Sequence, residues 1–504
     1  MQGLRGMVRL GERAPSLSTV FGGASLLVAV VCTARLIAFT YRNSCFVGDD
    51  LTSFWLAGRL PFFDFSLLPI DVHFAPLHRA TNWVMARVAN LDFSVALAVS
   101  LAVHLATIAL LVSIARRLRA GAVGCLLVAA YAVHLSLGSM FMWWSSGLHR
   151  LPYVFFAVLS CWAYLRYRET GSWRDASLVC VSMLAGLGFY SKAVLIPLYV
   201  GALHVAVRGV EPMRIRRSGV VSLALALSAL ALAYVIVWKW RTNAPMQTIN
   251  EDARFYEAFL RDGFQVFAAT WLGLFLDDRP WVEPLAITVA LVFAGVSIAL
   301  NRRAALAWIG LAVALAANFL LHAASAAKTL TYGLGVLASD RYYFESTFLV
   351  VVFVSAAYRG FARVELPSAL ARWRWVTAAL GVCLLGAFAV RSFRTFQVVA
   401  GHTYASHRFG HDYMANLRAS LAAFPPEERR DVTLKDGPMP AALVPFGAVM
   451  RRQSDLLRLM GIRVRYAKNA PFYIAPDGEV VRSTGAAWIK PPPFVAPTPK
   501  DAAR

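Results

Sequence analysis

Apolar residues run along this chain in blocks of roughly 17 to 22, the length an α-helix needs to cross about 30 Å of hydrocarbon. A block such as Ser218 to Val237, rich in Leu, Ala and Val, lacks the period-two alternation of barrel strands. Only helices and closed barrels satisfy their own backbone hydrogen bonds inside lipid, so the blocks predict transmembrane helices. They fall near residues 18–38, 93–114, 121–140, 151–166, 176–190, 193–207, 218–238, 284–300, 304–322, 345–358 and 375–391. The expected fold class is an all-α polytopic membrane protein of about 11 transmembrane helices with a small α/β extracytoplasmic C-terminal domain.

The polar stretches between the blocks orient them. Basic clusters at Arg5, Arg9 and Arg13, at Arg116, Arg117 and Arg119, at Arg166, Arg168 and Arg174, and at Arg208, Arg214, Arg216 and Arg217 fall on alternate connections. Arg302 and Arg303, then Arg359, Arg363, Arg372 and Arg374, continue the alternation. The bias of Lys and Arg toward the cytoplasm then puts the N-terminus inside and the C-terminus outside. The weaker apolar run Gln265 to Leu276 would break this order as a crossing and is read as interfacial or re-entrant. External loops are expected at residues 40–92, 239–283 and 323–344. The pattern divides the chain into a membrane domain over residues 1–391, a soluble extracytoplasmic domain over 392–489 and a Pro-rich, disordered tail over 490–504. Within the soluble part, Pro476-Asp477-Gly478 reads as the turn of a hairpin joining Phe472-Tyr473-Ile474 to Val480-Val481.

Composition agrees: 58% of residues are hydrophobic and 15% charged, against roughly 25% charged in a soluble domain. The net charge of +22 is explained by topological signals and attraction to anionic headgroups, so nucleic acid is not an expected partner. Five of the six cysteines lie inside apolar runs and form no disulfide or zinc pattern. The string Gly333-Leu-Gly-Val-Leu-Ala338 follows no strand of a βαβ unit and is set aside as a dinucleotide motif; nothing resembles a P-loop, so ATP-driven transport has no support.

About fourteen of the nineteen acids before Ser392 fall in the expected external loops, which points to a site on that face. The first loop carries the adjacent Asp49 and Asp50. A carboxylate that is partly desolvated beside a second acid can accept a proton from a hydroxyl; alternatively, one of the pair caps a short helix starting at Leu51. Lys192, Arg150 and Arg341 stand at outer helix ends, where a fixed cation would stabilise the charge of a departing lipid phosphate. The alternatives are a snorkelling Lys192 and an Arg341 paired with Asp340 or Glu345. Trp143-Trp144 reads as an interfacial aromatic belt. Asp277-Asp278 forms a second acidic cluster; a divalent metal is compatible with either acidic pair, although no ligand set is defined. Residues 243–262 are expected to form an amphipathic surface helix or lid.

An acidic pair in the first external loop, His73-Phe-Ala-Pro-Leu77, Ser191-Lys192 with Pro197, and Arg341-Tyr342 before a late helix together resemble the GT-C superfamily of polyprenyl-phosphate-sugar glycosyltransferases, which includes protein O-mannosyltransferases and lipid A aminoarabinose transferases. The resemblance covers roughly residues 15–390 and rests on the order of the motifs. It implies Asp49 as the base that deprotonates the acceptor and Asp50 at a position where the family often has Glu. It implies a substrate-binding role for His73, with Ala75 replacing the first proline of the family's segment. It implies donor-phosphate binding by Lys192, with Ala193 where the family's neighbouring acid stands.

The function expected is transfer of a sugar from a polyprenyl-phosphate donor to a glycan, lipid or protein acceptor on the extracytoplasmic face of a bacterial inner membrane. Its site would comprise Asp49 and Asp50 as catalytic residues, Lys192, Arg341 and Arg150 at the donor phosphate, and His73, Asp277 and Asp278 at the substrate. The competing class is a transporter, flippase or polymerase of lipid-linked glycans, which predicts paired repeats with broken helices. A third is a scaffold presenting the tail domain.

Overall fold

A computed structural model of the chain describes residues 17–69, 73–208, 216–242, 253–275, 281–324, 333–359, 374–425, 431–444 and 450–483. Of the described residues, 77% are helical. It opens with α1 (Leu17–Asn43), then three short helices, α2 (Asp49–Ala57), α3 (Phe62–Ser66) and α4 (Pro76–Val88), the last with Pro at its first position, where no amide hydrogen is needed. The bundle continues through α5 (Phe93–Arg117), α6 (Gly121–Ala132), α7 (Ser136–Met142), α8 (Trp144–Thr170) and α9 (Trp173–Phe189). A 3₁₀ turn at Ser191–Leu195 leads into α10 (Ile196–Ala206), followed by α11 (Arg217–Thr242), α12 (Ala253–Thr270), α13 (Val282–Leu300) and α14 (Ala304–Ala323). Gly333–Ala338, the string set aside above, is a second 3₁₀ turn, before α15 (Arg341–Ala357), α16 (Arg374–Thr403) and α17 (Ala405–Ala422).

Ten of the eleven expected spans each fall mainly on one helix, and the expected span 121–140 is divided between α6 and α7. Among the described residues, seven helices are long and apolar enough to cross a membrane, or eight if α6 and α7, bent by 41° at a short break, are one span. The remaining expected spans lie on α9, α10 and α15, which are shorter than a full crossing by length alone. The break at Val133–Leu135 is fixed locally: the Ser136 amide donates to His134 Nδ1 at 3.3 Å, and His134 Nε2 lies 3.2 Å from Thr270 Oγ1. Residues 253–262 of the expected surface helix begin α12, which runs on to Thr270 and packs on α13 and α14.

Which helices sit inside follows from their side chains. In α11 only 11% of the apolar window is buried, and Val221, Leu225, Leu232 and Ile236 face outward, a placement that costs nothing against lipid tails. In α8 the share is 72%, and α15 is buried along nearly its whole length. These two inner posts carry Arg150 and Glu345. Residue Gly171, in the left-handed conformation at φ 68°, ends α8 and turns the chain back into α9, with Ser172 capping the new helix.

The C-terminal part holds β1 (Thr433–Lys435), α18 (Gln453–Leu459), β2 (Arg465–Tyr466), β3 (Phe472–Ile474) and β4 (Val480–Arg482). The sheet order is β2-β1-β3-β4, with β1 parallel to both its neighbours. The expected hairpin is present, pairing Phe472 with Arg482 around a turn in which Gly478 adopts φ 94°. This unit docks on the first loop: the Gly48 amide donates to Leu443 O at 2.8 Å, and Arg418 donates to the carbonyls of Asn90 and Leu91. The expected tail over 490–504 lies outside the described residues.

Candidate functional site

The first loop is pinned at both ends. Ser44 Oγ donates to Met142 O at 2.5 Å, and the Phe46 ring packs edge-on against Phe54 and Phe93. Gly48, at φ 55°, reverses the chain so that α2 begins at Asp49, two residues before the expected start, and no side chain caps it. Asp49 therefore points outward and is exposed, while Asp50 is fully buried at 0% exposure. Asp50 Oδ1 accepts from the Ser145 amide at 2.7 Å and Oδ2 from the Val47 amide at 3.4 Å. Burial pushes the Asp50 carboxyl up to about 7; Asp49 beside it adds to the rise, and the hydrogen bonds from Ser145 and Val47 oppose it. The capping alternative therefore fails for Asp49, and Asp50 instead ties the loop to the start of α8.

Next to Ser145, Trp144 Nε1 donates to Asn82 Oδ1 at 2.7 Å, and Asn82 Nδ2 lies 3.4 Å from His78 Nδ1. His78 stacks on His149 with ring centroids 3.8 Å apart. His149 Nδ1 bonds Phe189 O at 2.9 Å, and its ring sits 5.7 Å from that of His73. Half-buried His73 also lies 5.7 Å from the Tyr190 ring, with Ser191 Oγ 3.4 Å from its Nδ1. The His73–Leu77 segment, the start of α8 and the Tyr190–Lys192 turn thus meet in one place. Burial holds the His78 imidazole down at about 3, so this ring is neutral at physiological pH.

One helical turn deeper, three charges converge. Arg150 Nε donates to Glu345 Oε1 at 2.6 Å, and Lys192 Nζ donates to Glu345 Oε2 and, at 2.9 Å, to Asn318 Oδ1. All three charged groups are buried, Glu345 at 0% exposure. Asn318 Nδ2 donates to Tyr199 OH at 3.3 Å, and Tyr199 OH bonds Tyr153 OH at 3.1 Å. Arg150 also lies over the Tyr190 and Tyr342 rings. The cluster carries two cations and one anion, so a net positive charge remains. Lys192 is consequently not a snorkelling residue at a headgroup. The acid missing beside it in sequence, where Ala193 stands, is supplied in space by Glu345.

Arg341 stands above this cluster, over the Trp143 and Tyr342 rings at 4.6 and 5.0 Å, and forms no ion pair among the described residues. Glu345 is already engaged by Arg150 and Lys192, and Asp340 accepts from Ser139 Oγ. Glu345 is thereby engaged elsewhere, and Asp340 lies beside Arg341 without forming an ion pair with it. Trp143 belongs to the site as the face on which Arg341 rests, in place of the membrane belt expected. Asp277 and Asp278 lie outside the described residues. Among the described residues, no group of three or more His, Cys, Asp or Glu is placed to hold a metal ion.

The sequence reading missed Asn82, Tyr190 and Asn318, and named Glu345 only as a partner for Arg341. A polar residue inside an apolar block was the available signal for Asn318 and Glu345.

Residues 73–238 match the family described as Dolichyl-phosphate-mannose-protein mannosyltransferase, part of the GT-C superfamily. The resemblance drawn from the motifs is thus shown over about a third of the chain, which includes His73, Arg150 and Lys192 but neither Asp49 nor Glu345. The match supports, at the level of the family, a membrane glycosyltransferase that uses a polyprenyl-phosphate sugar donor. No curated protein matches the chain.

Proposed function

We propose that the chain transfers a sugar from a polyprenyl phosphate to an acceptor hydroxyl at the membrane face bearing Asp49, and that this face is extracytoplasmic in a bacterial inner membrane. One observation carries the reading. The first turns of α8 join the two halves of the chemistry, because Ser145 holds Asp50 and Arg150, five residues on, holds Glu345 with Lys192. Five residues of helix are about 7.5 Å. This separation supports a base and a phosphate cradle acting on opposite sides of one anomeric carbon.

In the reaction, Asp49 takes the proton of the acceptor hydroxyl as its oxygen attacks the anomeric carbon. The bond from that carbon to the phosphate oxygen breaks, and the electron pair leaves on the polyprenyl phosphate. A single displacement inverts the anomeric centre. The net positive charge of Arg150, Lys192 and Glu345, with Arg341 above it, stabilises the phosphate as it gains charge. Asp50 is a positioning residue, since its oxygens face the backbone of the loop and of α8. His73 and the rings around it border the acceptor.

Reconstituted protein given a radiolabelled polyprenyl-phosphate sugar tests this. Release of polyprenyl phosphate in step with labelled acceptor is expected. Movement of intact donor across the bilayer without release would instead identify the transporter class.

A further inference from the structure

A second cavity lies at the opposite end of the bundle. It occupies about 1090 Å³ between α1, α5 and α6 and has no part in the chemistry above. Its direction is set by the packing: the start of α5 meets the first loop where Phe93 touches Phe46, so the Arg116 end of α5 lies remote from Asp50. From Gly22 to Ile37 its wall on α1 spans fifteen residues, about 22 Å, which exceeds half of a hydrocarbon core about 30 Å thick.

The lining is apolar along this length, including Leu101, Leu105 and Ile108, and polar at the far end, where exposed Arg116 and Arg119 border it. Neither arginine forms an ion pair among the described residues, whereas Arg117 between them pairs with Glu169. The glycines of α1 keep the space open and close no helix contact. A Cβ on Gly23 would meet nothing within 4 Å, and one on Gly22 only Cys125 Sγ at 3.7 Å. Ser25, 1% exposed, lines the same cavity, and its hydroxyl has no hydrogen-bond partner among the described residues. An apolar slot of leaflet depth, with two exposed cations at its mouth that form no ion pair among the described residues, matches an amphiphile with an anionic head.

We propose that this cavity is a binding site for an anionic glycerophospholipid of the leaflet opposite the candidate site. The phosphate sits between Arg116 and Arg119, and the acyl chains fill the slot between α1 and α5. The bound lipid completes the packing of α1 on the bundle.

The test is native mass spectrometry of the full chain in mild detergent, titrated with phosphatidylglycerol or with phosphatidylcholine. Wild type should retain phosphatidylglycerol preferentially. The double variant Arg116→Gln, Arg119→Gln should bind it roughly 30-fold more weakly while binding phosphatidylcholine as before. Gly23→Leu should lower retention of both lipids while the protein's thermal midpoint in detergent without added lipid is unchanged or higher, because the side chain fills open space. Equal retention of the two lipids by wild type, or an undiminished preference in the double variant, overturns the proposal. Uptake only by a chain lacking residues 1–16 would make that segment the occupant and would overturn it equally.

Discussion

Asp50 and Glu345 are both carboxylates with no exposed surface, and they behave as opposites. Asp50 faces backbone amides and a neighbouring acid, so burial is incompletely offset and the group titrates near pH 7. Glu345 faces a guanidinium and an ammonium that meet both its oxygens, so its charge is matched within hydrogen-bonding distance. Depth alone therefore does not decide what a buried acid does; the charge of its partners does. The first loop is a region whose protonation can change with solution conditions. The bundle core holds a buried carboxylate matched by two cations.

Four experiments sharpen or break that contrast. The largest effect is expected at Asp49, the exposed member of the pair: Asp49→Asn should lower turnover by about 10²- to 10⁴-fold with donor affinity nearly unchanged. Because no side chain caps α2, its stability should hardly move. Near-normal turnover in this variant would shift the base elsewhere.

Glu345→Gln should come next, destabilising the protein by about 3–5 kcal/mol, since Arg150 and Lys192 would face each other with no anion between them. Chemical denaturation in detergent measures it, and an unchanged midpoint would mean the two cations are solvated in a way the packing does not allow. Lys192→Ala should weaken donor binding by roughly 10- to 100-fold, the loss of one charged hydrogen bond, with Lys192→Arg retaining most of the affinity. Equal and small changes in both variants would leave Lys192 a purely structural partner of Glu345.

The smallest effect concerns pH. The folded protein holds the Asp50 proton up to about pH 7, while the unfolded chain releases it near the ordinary carboxylate value of 3.8. Between these values the folded state binds more protons, so the contribution of this group to stability falls as pH rises and levels off above about 7. The wild-type melting temperature should drop by roughly a few degrees across that window, and Asp50→Asn should remove this part of the slope. An identical slope in the variant would assign the titration to another group.

The sequence by itself determined the helices, because the length and apolarity of a block are local properties and lipid demands that each block satisfy its own backbone. It also determined the C-terminal hairpin, whose turn residues dictate their own geometry, and the motifs by which the resemblance to GT-C enzymes was drawn. It left the number of crossings open: α9, α10 and α15 are shorter and lie among neighbouring helices, where apolar sequence reports contact with protein as readily as contact with lipid. The tertiary structure alone decided who pairs with whom. Asp50 meets Ser145 across 95 residues of sequence, Lys192 meets Glu345 across 153, and Arg150 meets Glu345 across 195. Ala193 at the place of an expected acid looked like a defect in a motif, yet the packing of α15 against α8 brings a carboxylate to the same lysine. Coulomb attraction and desolvation depend on distance through space, and no spacing along the chain encodes that distance until the helices have packed.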